Sequence, residues 1–159
     1  RLKGLIRSAA FYGWWYPTRW LGWGRWPRYA GFGTLAGHVR FVERSARKLA
    51  RSVFHSMVRF GPKLEQRQSV LFRLVDVAAE LFAMAATCSR AHAIYKKDRT
   101  AGARAVKLAD LFCRQARRRV RSKFNGLRRN EDVPTYKFAQ EILAGEHRWL
   151  ERDIVELPE

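Results

Sequence analysis

The sequence predicts an all-α protein: an antiparallel helical bundle of four main helices, preceded by a Trp/Arg-rich, partly helical segment. Three observations lead there. After position 34, apolar residues recur at steps of three and four over most of the chain. No stretch keeps the period-two alternation of a half-buried strand. The breaking pairs Gly61-Pro62 and Asn125-Gly126 fall between the periodic segments. With 159 residues, 47% of them apolar, the chain is long enough for one core and too apolar for a disordered sequence.

The first helix is expected over about 35–60. Val39, Val42, Ala46, Leu49, Val53, Phe54, Met57 and Val58 mark its apolar face. Gly61-Pro62 stops it, and Pro62 suits the first turn of the next helix, over about 62–97. Here Val70, Leu71, Leu74, Val75, Ala78, Leu81, Phe82 and Ala85 form a broad stripe, and AMAATCSRAHA adds small residues that allow close helix approach. This helix belongs in the centre of the bundle. A third is expected over about 101–123, with Val106, Leu108, Leu111, Phe112, Ala116 and Val120 on one side. Its basic C-terminal half favours the helix dipole, and Asn125-Gly126 ends it. After a polar link, Thr135 is the expected N-cap of a fourth helix to Leu150, with Tyr136, Ala139, Ile142, Leu143 and Leu150 inward. The resulting division is an aromatic-basic segment 1–34, a bundle 35–152 and an acidic tail 153–159.

Charge narrows the partners. The net charge is +18, which calls for an anionic partner, an anionic surface or an acidic neighbouring domain. Residues 1–34 contain six Lys/Arg and no acid, whereas 131–159 hold eight acids against three bases. The run ARRRVRSKFNGLRR (116–129) would suit phosphate backbones. Yet Leu111, Phe112, Ala116 and Val120 commit one face of that helix to the bundle, so a solvated face or a dock for acidic protein or lipid is favoured over nucleic acid. A basic helical nucleic-acid-binding module is kept as the alternative.

Catalytic and metal patterns are missing from the sequence. Cys88 and Cys113 lie 25 positions apart with no CxxC spacing, and are expected as reduced core thiols. Asp76 and Glu80, one turn apart, are expected to pair with arginines of a packed helix. His38, His55, His92 and His147 form no HExxH or HxxxH pattern. No P-loop, GxSxG or GxGxxG occurs. We therefore expect no catalytic, cofactor-binding or metal-ligating residue in this chain. A signal peptide and a membrane-spanning helix are not expected either, because every window of about 20 residues contains a lysine or arginine. The chain starts at Arg1, as a piece of a longer polypeptide would.

The stretch GWWYPTRWLGWGRW (13–26) holds five tryptophans and two arginines. Leu2, Leu5, Ile6, Ala9, Ala10, Phe11 and Tyr12 suit a short amphipathic helix before it, with Lys3 and Arg7 on the polar side. Gly13, Pro17, Gly22, Gly24 and Pro27 are then expected to break regular structure. Tryptophan favours the headgroup layer, because its ring is apolar and its N–H stays wet. Each neighbouring base adds about 1 kcal/mol toward an anionic leaflet. Trp14, Trp15, Arg19, Trp20, Trp23, Arg25 and Trp26 are the expected membrane-contacting residues. The competing use is packing on another domain of the same protein.

One segment carries a resemblance. QSVLFRLVDVAAELFAMAATCSRA (68–91) is similar to the C-terminal helical region of very-long-chain-type acyl-CoA dehydrogenases, patterned Q-x-x-L-x-R-L-x-D-x-A-x-x-L-[YF]-A-M with S-R-A shortly after. Gln68, Leu71, Arg73, Leu74, Asp76, Ala78, Leu81, Phe82, Ala83, Met84, Ser89, Arg90 and Ala91 match it. KLARSVFHSMVRFGPKLEQRQ resembles the helix before that motif. The likeness is good over about 46–95, loose to about 150, and does not extend to 1–34.

The resemblance implies FAD-dependent homodimers that oxidise the Cα–Cβ bond of long-chain acyl-CoA in fatty acid β-oxidation. The base is a glutamate in an earlier helical domain, and most flavin contacts lie there too. Long-chain members add a C-terminal bundle that packs on the catalytic domains and is associated with membrane attachment. This chain is expected to be that bundle, with FAD bound mainly outside it. Its Arg-, Ala- and Trp-rich usage suggests a high-GC bacterium. The expected location is cytoplasmic, peripheral to the inner membrane, with the matrix side of the mitochondrial inner membrane as the alternative.

Overall fold

The computed structural model describes residues 2–20 and 29–150. Among these, all regular structure is helical. The helices are α1 (Leu2–Thr18), α2 (Ala36–Phe60), α3 (Gln68–Lys97), α4 (Arg99–Gly126) and α5 (Asp132–Leu143), with 3-10 segments at Tyr29–Leu35, Gly61–Gln66 and Arg148–Leu150. The chain divides into two compact units, Arg1–Leu127 and Arg128–Glu159. The proposed tail 153–159 lies outside the described residues.

The first unit is built on the α3–α4 hairpin. On α3 the buried residues are Val70, Leu74, Val77, Leu81, Met84, Cys88 and Ala91, spaced alternately by four and three. That is the seam of a helix meeting a partner almost lengthwise. On α4 the matching residues are Gly102, Ala109, Cys113, Ala116, Val120 and Phe124. Cys88 meets Cys113, Glu80 meets Arg119 and Asp76 meets Lys123, so contacts step down α3 as they step up α4. The helices are antiparallel. Asp98 alone joins them and caps α4, its Oδ1 accepting from the N–H of Thr100 (2.7 Å) and of Ala101 (3.1 Å). The sequence pattern began this helix at about 101 because the apolar repeat starts after the cap.

The seam is narrow because its α4 side is mostly Gly, Ala and Cys. A Cβ on Gly102 would stand 2.1 Å from the Tyr95 Cα, so α4 lies against the backbone of α3 there. Cys88 and Cys113 are free and fully buried, with Sγ atoms 3.6 Å apart. The hydrogen bond with Cys88, together with burial, holds the Cys113 thiol well above its ordinary pKa. Asp76 and Glu80 pair across the rim as expected, Arg119 Nη2 donating to Glu80 Oε2 at 3.0 Å. The partner of Asp76 is Lys123 instead of an arginine, because Lys123 is one turn beyond Arg119 as Asp76 is one turn before Glu80.

α2 covers one side of this hairpin. Phe41 and Val42 touch both halves of the core. Its buried face is rotated from the expected one. His38, Ser45 and Ser56 are buried, while Val53, Met57 and Val58 are exposed. Small polar residues sit inside here because they satisfy themselves locally: Ser56 Oγ donates to the Ser52 carbonyl at 2.9 Å. Gly61 ends α2 with φ 51°, a left-handed value that favours glycine. The expected start of the next helix at Pro62 is displaced to Gln68 by the 3-10 segment Gly61–Gln66.

One polar link crosses from α2 to α4. The buried His38 ring donates from Nε2 to Asp110 Oδ1 at 2.8 Å, and Arg114 Nε lies 2.9 Å from Asp110 Oδ2. The hydrogen bond from His38, aided by Arg114, holds the Asp110 carboxyl below its usual range. Sequence spacing could not show this pair, whose members are 72 positions apart.

In the second unit, α5 begins at Asp132, one turn before the expected cap Thr135. Its apolar residues are not inward. Tyr136, Ile142, Leu143 and Leu150 are exposed. His147 closes the unit locally, its ring 4.6 Å from that of Phe138.

Two outcomes test this description. Gly102→Ala should lower stability by about 1–3 kcal/mol in urea unfolding, as overpacking does. Gly37→Ala, which meets nothing within 4 Å, should leave it unchanged or raised. Equal losses at both positions would remove the close-approach argument. Asp110 has a depressed carboxyl pKa, so its contribution is complete above the unfolded value of about 3.9 and is lost as pH falls through the lower folded value. The stability gap between wild type and Asp110→Asn should therefore be open at about pH 5–6 and close in acid below about pH 4. A gap that widens in acid contradicts the link.

Candidate functional site

Of the aromatic segment, residues 13–18 form the end of a helix. α1 runs unbroken from Leu2 through Gly13 to Thr18, further than the expected break at Gly13. One glycine costs a helix only about 1 kcal/mol, and Pro17 falls one residue before the C-terminal end, so the hydrogen bond that its missing N–H removes is confined to the last turn. Thr18 Oγ1 closes the end by donating to the Trp15 carbonyl at 2.6 Å. Because residues 2–18 are helical, the aromatic residues among them sort by face.

The inner face packs on α2. The rings of Tyr12, Trp15 and Tyr16 lie 5.1, 5.9 and 5.3 Å from that of Phe54. Tyr16 Oη and His55 Nε2 share a hydrogen bond of 2.7 Å. Arg51 of α2 donates from Nη1 to the Arg19 carbonyl, and its guanidinium lies 4.2 Å over the Trp20 ring. The outer face is open. Trp14 is 79% exposed, and Ile6, Phe11 and Trp20 are exposed as well. Arg7, Phe11 and Trp14 stand four and three apart, on one side of the helix. Phe11, Trp14, Trp15, Thr18 and Arg19 border a shallow cavity of about 390 Å³.

The seven expected contact residues thus separate. Trp14 points outward with Phe11. Trp15 is half-buried against Phe54, with Arg19 over its ring at 5.3 Å. Trp20 is exposed on one side and covered by Arg51 on the other. Trp23, Arg25 and Trp26 lie outside the described residues. Packing within the chain and an open aromatic face coexist on one helix. Among the described residues, no helix is long and apolar enough to cross a membrane.

A second concavity among the described residues is a groove of about 740 Å³ between residues 30–35 and the α3–α4 turn, lined by His92, Tyr95, Val106, Lys107, Asp110 and Arg114. Lys107 and Arg114 would meet phosphate, but the Asp110 carboxylate lies beside them. The aromatic surface is already taken, since Phe32 stacks on His92 at 4.5 Å. This groove does not fit a flavin dinucleotide. Among the described residues, no group of three or more His, Cys, Asp or Glu is placed to hold a metal ion.

The basic run 116–129 is largely engaged. Arg117 and Arg121 lie over the Phe41 ring at 4.8 and 5.7 Å, Arg119 pairs with Glu80 and Lys123 with Asp76. Ala116, Val120 and Phe124 are core, whereas Leu111 and Leu108, expected on the same buried side, are exposed because the α3 seam meets α4 along Ala109, Cys113 and Ala116.

Residues 34–145 match the family described as ACAD9/ACADV, C-terminal domain. The chain is also 44% identical over 153 residues to proteins named probable acyl-CoA dehydrogenase FadE10 from Mycobacterium bovis and two strains of Mycobacterium tuberculosis. That match covers 96% of this chain and 24% of each relative, so the chain spans about a quarter of their length. No solved structure matches it. The match over residues 34–145, most of the chain, places it in the ACAD9/ACADV C-terminal domain family.

Proposed function

We propose that this chain is the non-catalytic C-terminal helical domain of an FAD-dependent acyl-CoA dehydrogenase. The enzyme acts on long-chain acyl-CoA in fatty acid β-oxidation. The observation that carries the enzymatic part is the 44% identity to relatives named as acyl-CoA dehydrogenases, along nearly the whole chain. The flavin and the catalytic glutamate belong to domains outside residues 1–159, and the enzyme is a homodimer. FAD bound there would accept the hydride. This chain stabilises those domains and holds the enzyme at an anionic membrane surface. The site is peripheral to the inner membrane of a bacterial cytoplasm.

The outer face of α1 supports the membrane part. It combines Ile6, Phe11 and Trp14 with Arg7, an apolar body with a cation beside it, which is the composition that sits at a headgroup layer. Its inner face is tied to α2, so lipid contact would be made by a braced helix. Long acyl chains are sparingly soluble, which gives such placement a purpose. The nucleic-acid alternative finds less support, because the cations it needs are drawn onto Phe41, Glu80 and Asp76.

The test uses the full-length protein. Wild type should float with anionic vesicles and less with neutral ones. Phe11→Ser with Trp14→Ser should cut anionic partitioning by about tenfold or more, since each buried aromatic is worth about 1.5–3 kcal/mol. Unchanged flotation would remove the membrane reading. Flavin absorbance and dye-linked oxidation of palmitoyl-CoA by the same preparation test the enzymatic part separately.

A further inference from the structure

α3 carries a second apolar seam that the bundle does not use. Phe72, Val75 and Phe82 are 62%, 62% and 77% exposed, and Ala79, Ala86 and Ala93 between and beyond them are exposed too. Their spacing is three, four, three, four and seven, so they form one straight strip along the helix. From Phe72 to Ala86 the strip contains no charged residue, Arg90 bordering only its far end, and it lies on the side of α3 opposite Val77, Leu81, Met84 and Cys88. Over about 20 residues it is roughly 30 Å long at 1.5 Å per residue. A strip of that size left in water is unusual for a stable surface.

We infer that this outer face of α3 is the seat of a helix from the part of the same polypeptide that lies outside residues 1–159. The inference rests on the reading that the chain is one domain of a longer dehydrogenase. Large Phe and Val alternating with Ala give the knobs and hollows that another helix fills. The relatives supply the occupant, since three quarters of their length lies beyond the matched region. Lipid fits less well. Unlike α1, the strip has no tryptophan, and its large residues Phe72, Val75 and Phe82 have no cation on the strip between them to meet a lipid phosphate.

The experiment places a photo-crosslinking residue in the full-length protein. Phe82→p-benzoylphenylalanine and, as a second position, Phe72→p-benzoylphenylalanine keep an aromatic side chain on the strip. Arg40→p-benzoylphenylalanine on α2 is the control. Irradiation is done with anionic vesicles present, on an equal mixture of unlabelled and heavy-isotope-labelled chains. The expected main product at 82 and 72 joins α3 to a peptide outside 1–159 of the same isotopic label, and is reduced to background from position 40. Mixed-label products would assign the strip to a second copy, and lipid adducts would assign it to the membrane. Either result, or background yield at both strip positions, overturns the inference. The flavin spectrum and palmitoyl-CoA oxidation of the same sample keep the two readings apart. A same-chain crosslink in a protein without that chemistry removes the dehydrogenase and leaves the seat, and an active enzyme without the crosslink does the reverse.

Discussion

The close approach of α3 and α4 is the constraint on which the rest of this domain depends. Gly102, Ala109, Cys113 and Ala116 present almost no side chain toward α3, so over this part of the seam the larger Met84 fills the interface, and Val120 and Phe124 meet Val77 and Leu81 further along. Two consequences follow from that asymmetry. The hairpin needs only one connecting residue, Asp98, because the helices are already side by side where it turns. And α2 must supply the remaining bulk, which it does through Phe41 and Val42 against both halves of the core.

The same narrowness governs the charges. Small seam residues bring the bases on α4 close to whatever lies on its neighbours. Arg119 and Lys123 reach carboxylates on α3, while Arg117 and Arg121 lie over Phe41 on α2. Burial, with Arg121 and Arg44 nearby, lowers the Arg117 pKa from its usual value. Rim pairs of this kind add little stability, on the order of 0–1 kcal/mol each. Their effect is on specificity: they pin the register of two helices whose seam is small-sided on α4 from Gly102 to Ala116. Four of the seven bases of 116–129 are thus held on neighbouring helices, while Arg118, Arg128 and Arg129 are exposed.

The family match and part of the α3 seam were legible in the sequence: Val70, Leu74 and Leu81 are buried as expected, but Val75, Ala78 and Phe82, read into the same stripe, are exposed, and the seam runs instead through Val77, Met84, Cys88 and Ala91. The face of α2 was not legible. Ser45 and Ser56 are buried there, and a serine that bonds its own helix is indistinguishable on paper from an exposed one. α1 was cut short on paper because Gly13 and Pro17 read as breakers, although each is tolerated where it stands. The cap at Asp98 was visible in KKDRTAG, an acid two residues before Thr100, and was passed over because it lies outside the apolar repeat. The His38–Asp110 link had no local signal at all. On α5 the expected inward residues are exposed, since periodicity states that a helix has an apolar side and is silent about what covers it.

That silence is what makes composition decisive for the two open faces. Both α1 and α3 show large apolar residues to solvent, and exposure alone cannot assign them. Their chemistry differs. On α1, Trp14 stands with Arg7 and is backed by Trp15 and Tyr16, amphipathic rings that tolerate a wet boundary. On α3, Phe72, Val75 and Phe82 have no polar atom and no cation among them, so their best environment is dry and closely fitted. Lipid headgroups offer the first environment, and a packed protein helix offers the second. Both faces are held in one unit by aromatic contacts, Phe54 to α1 and Phe41 to the hairpin, both on α2. A polypeptide bound through both would be fixed relative to the lipid plane by α2 alone, and the rigidity of that one helix would set how closely the attached domains approach it.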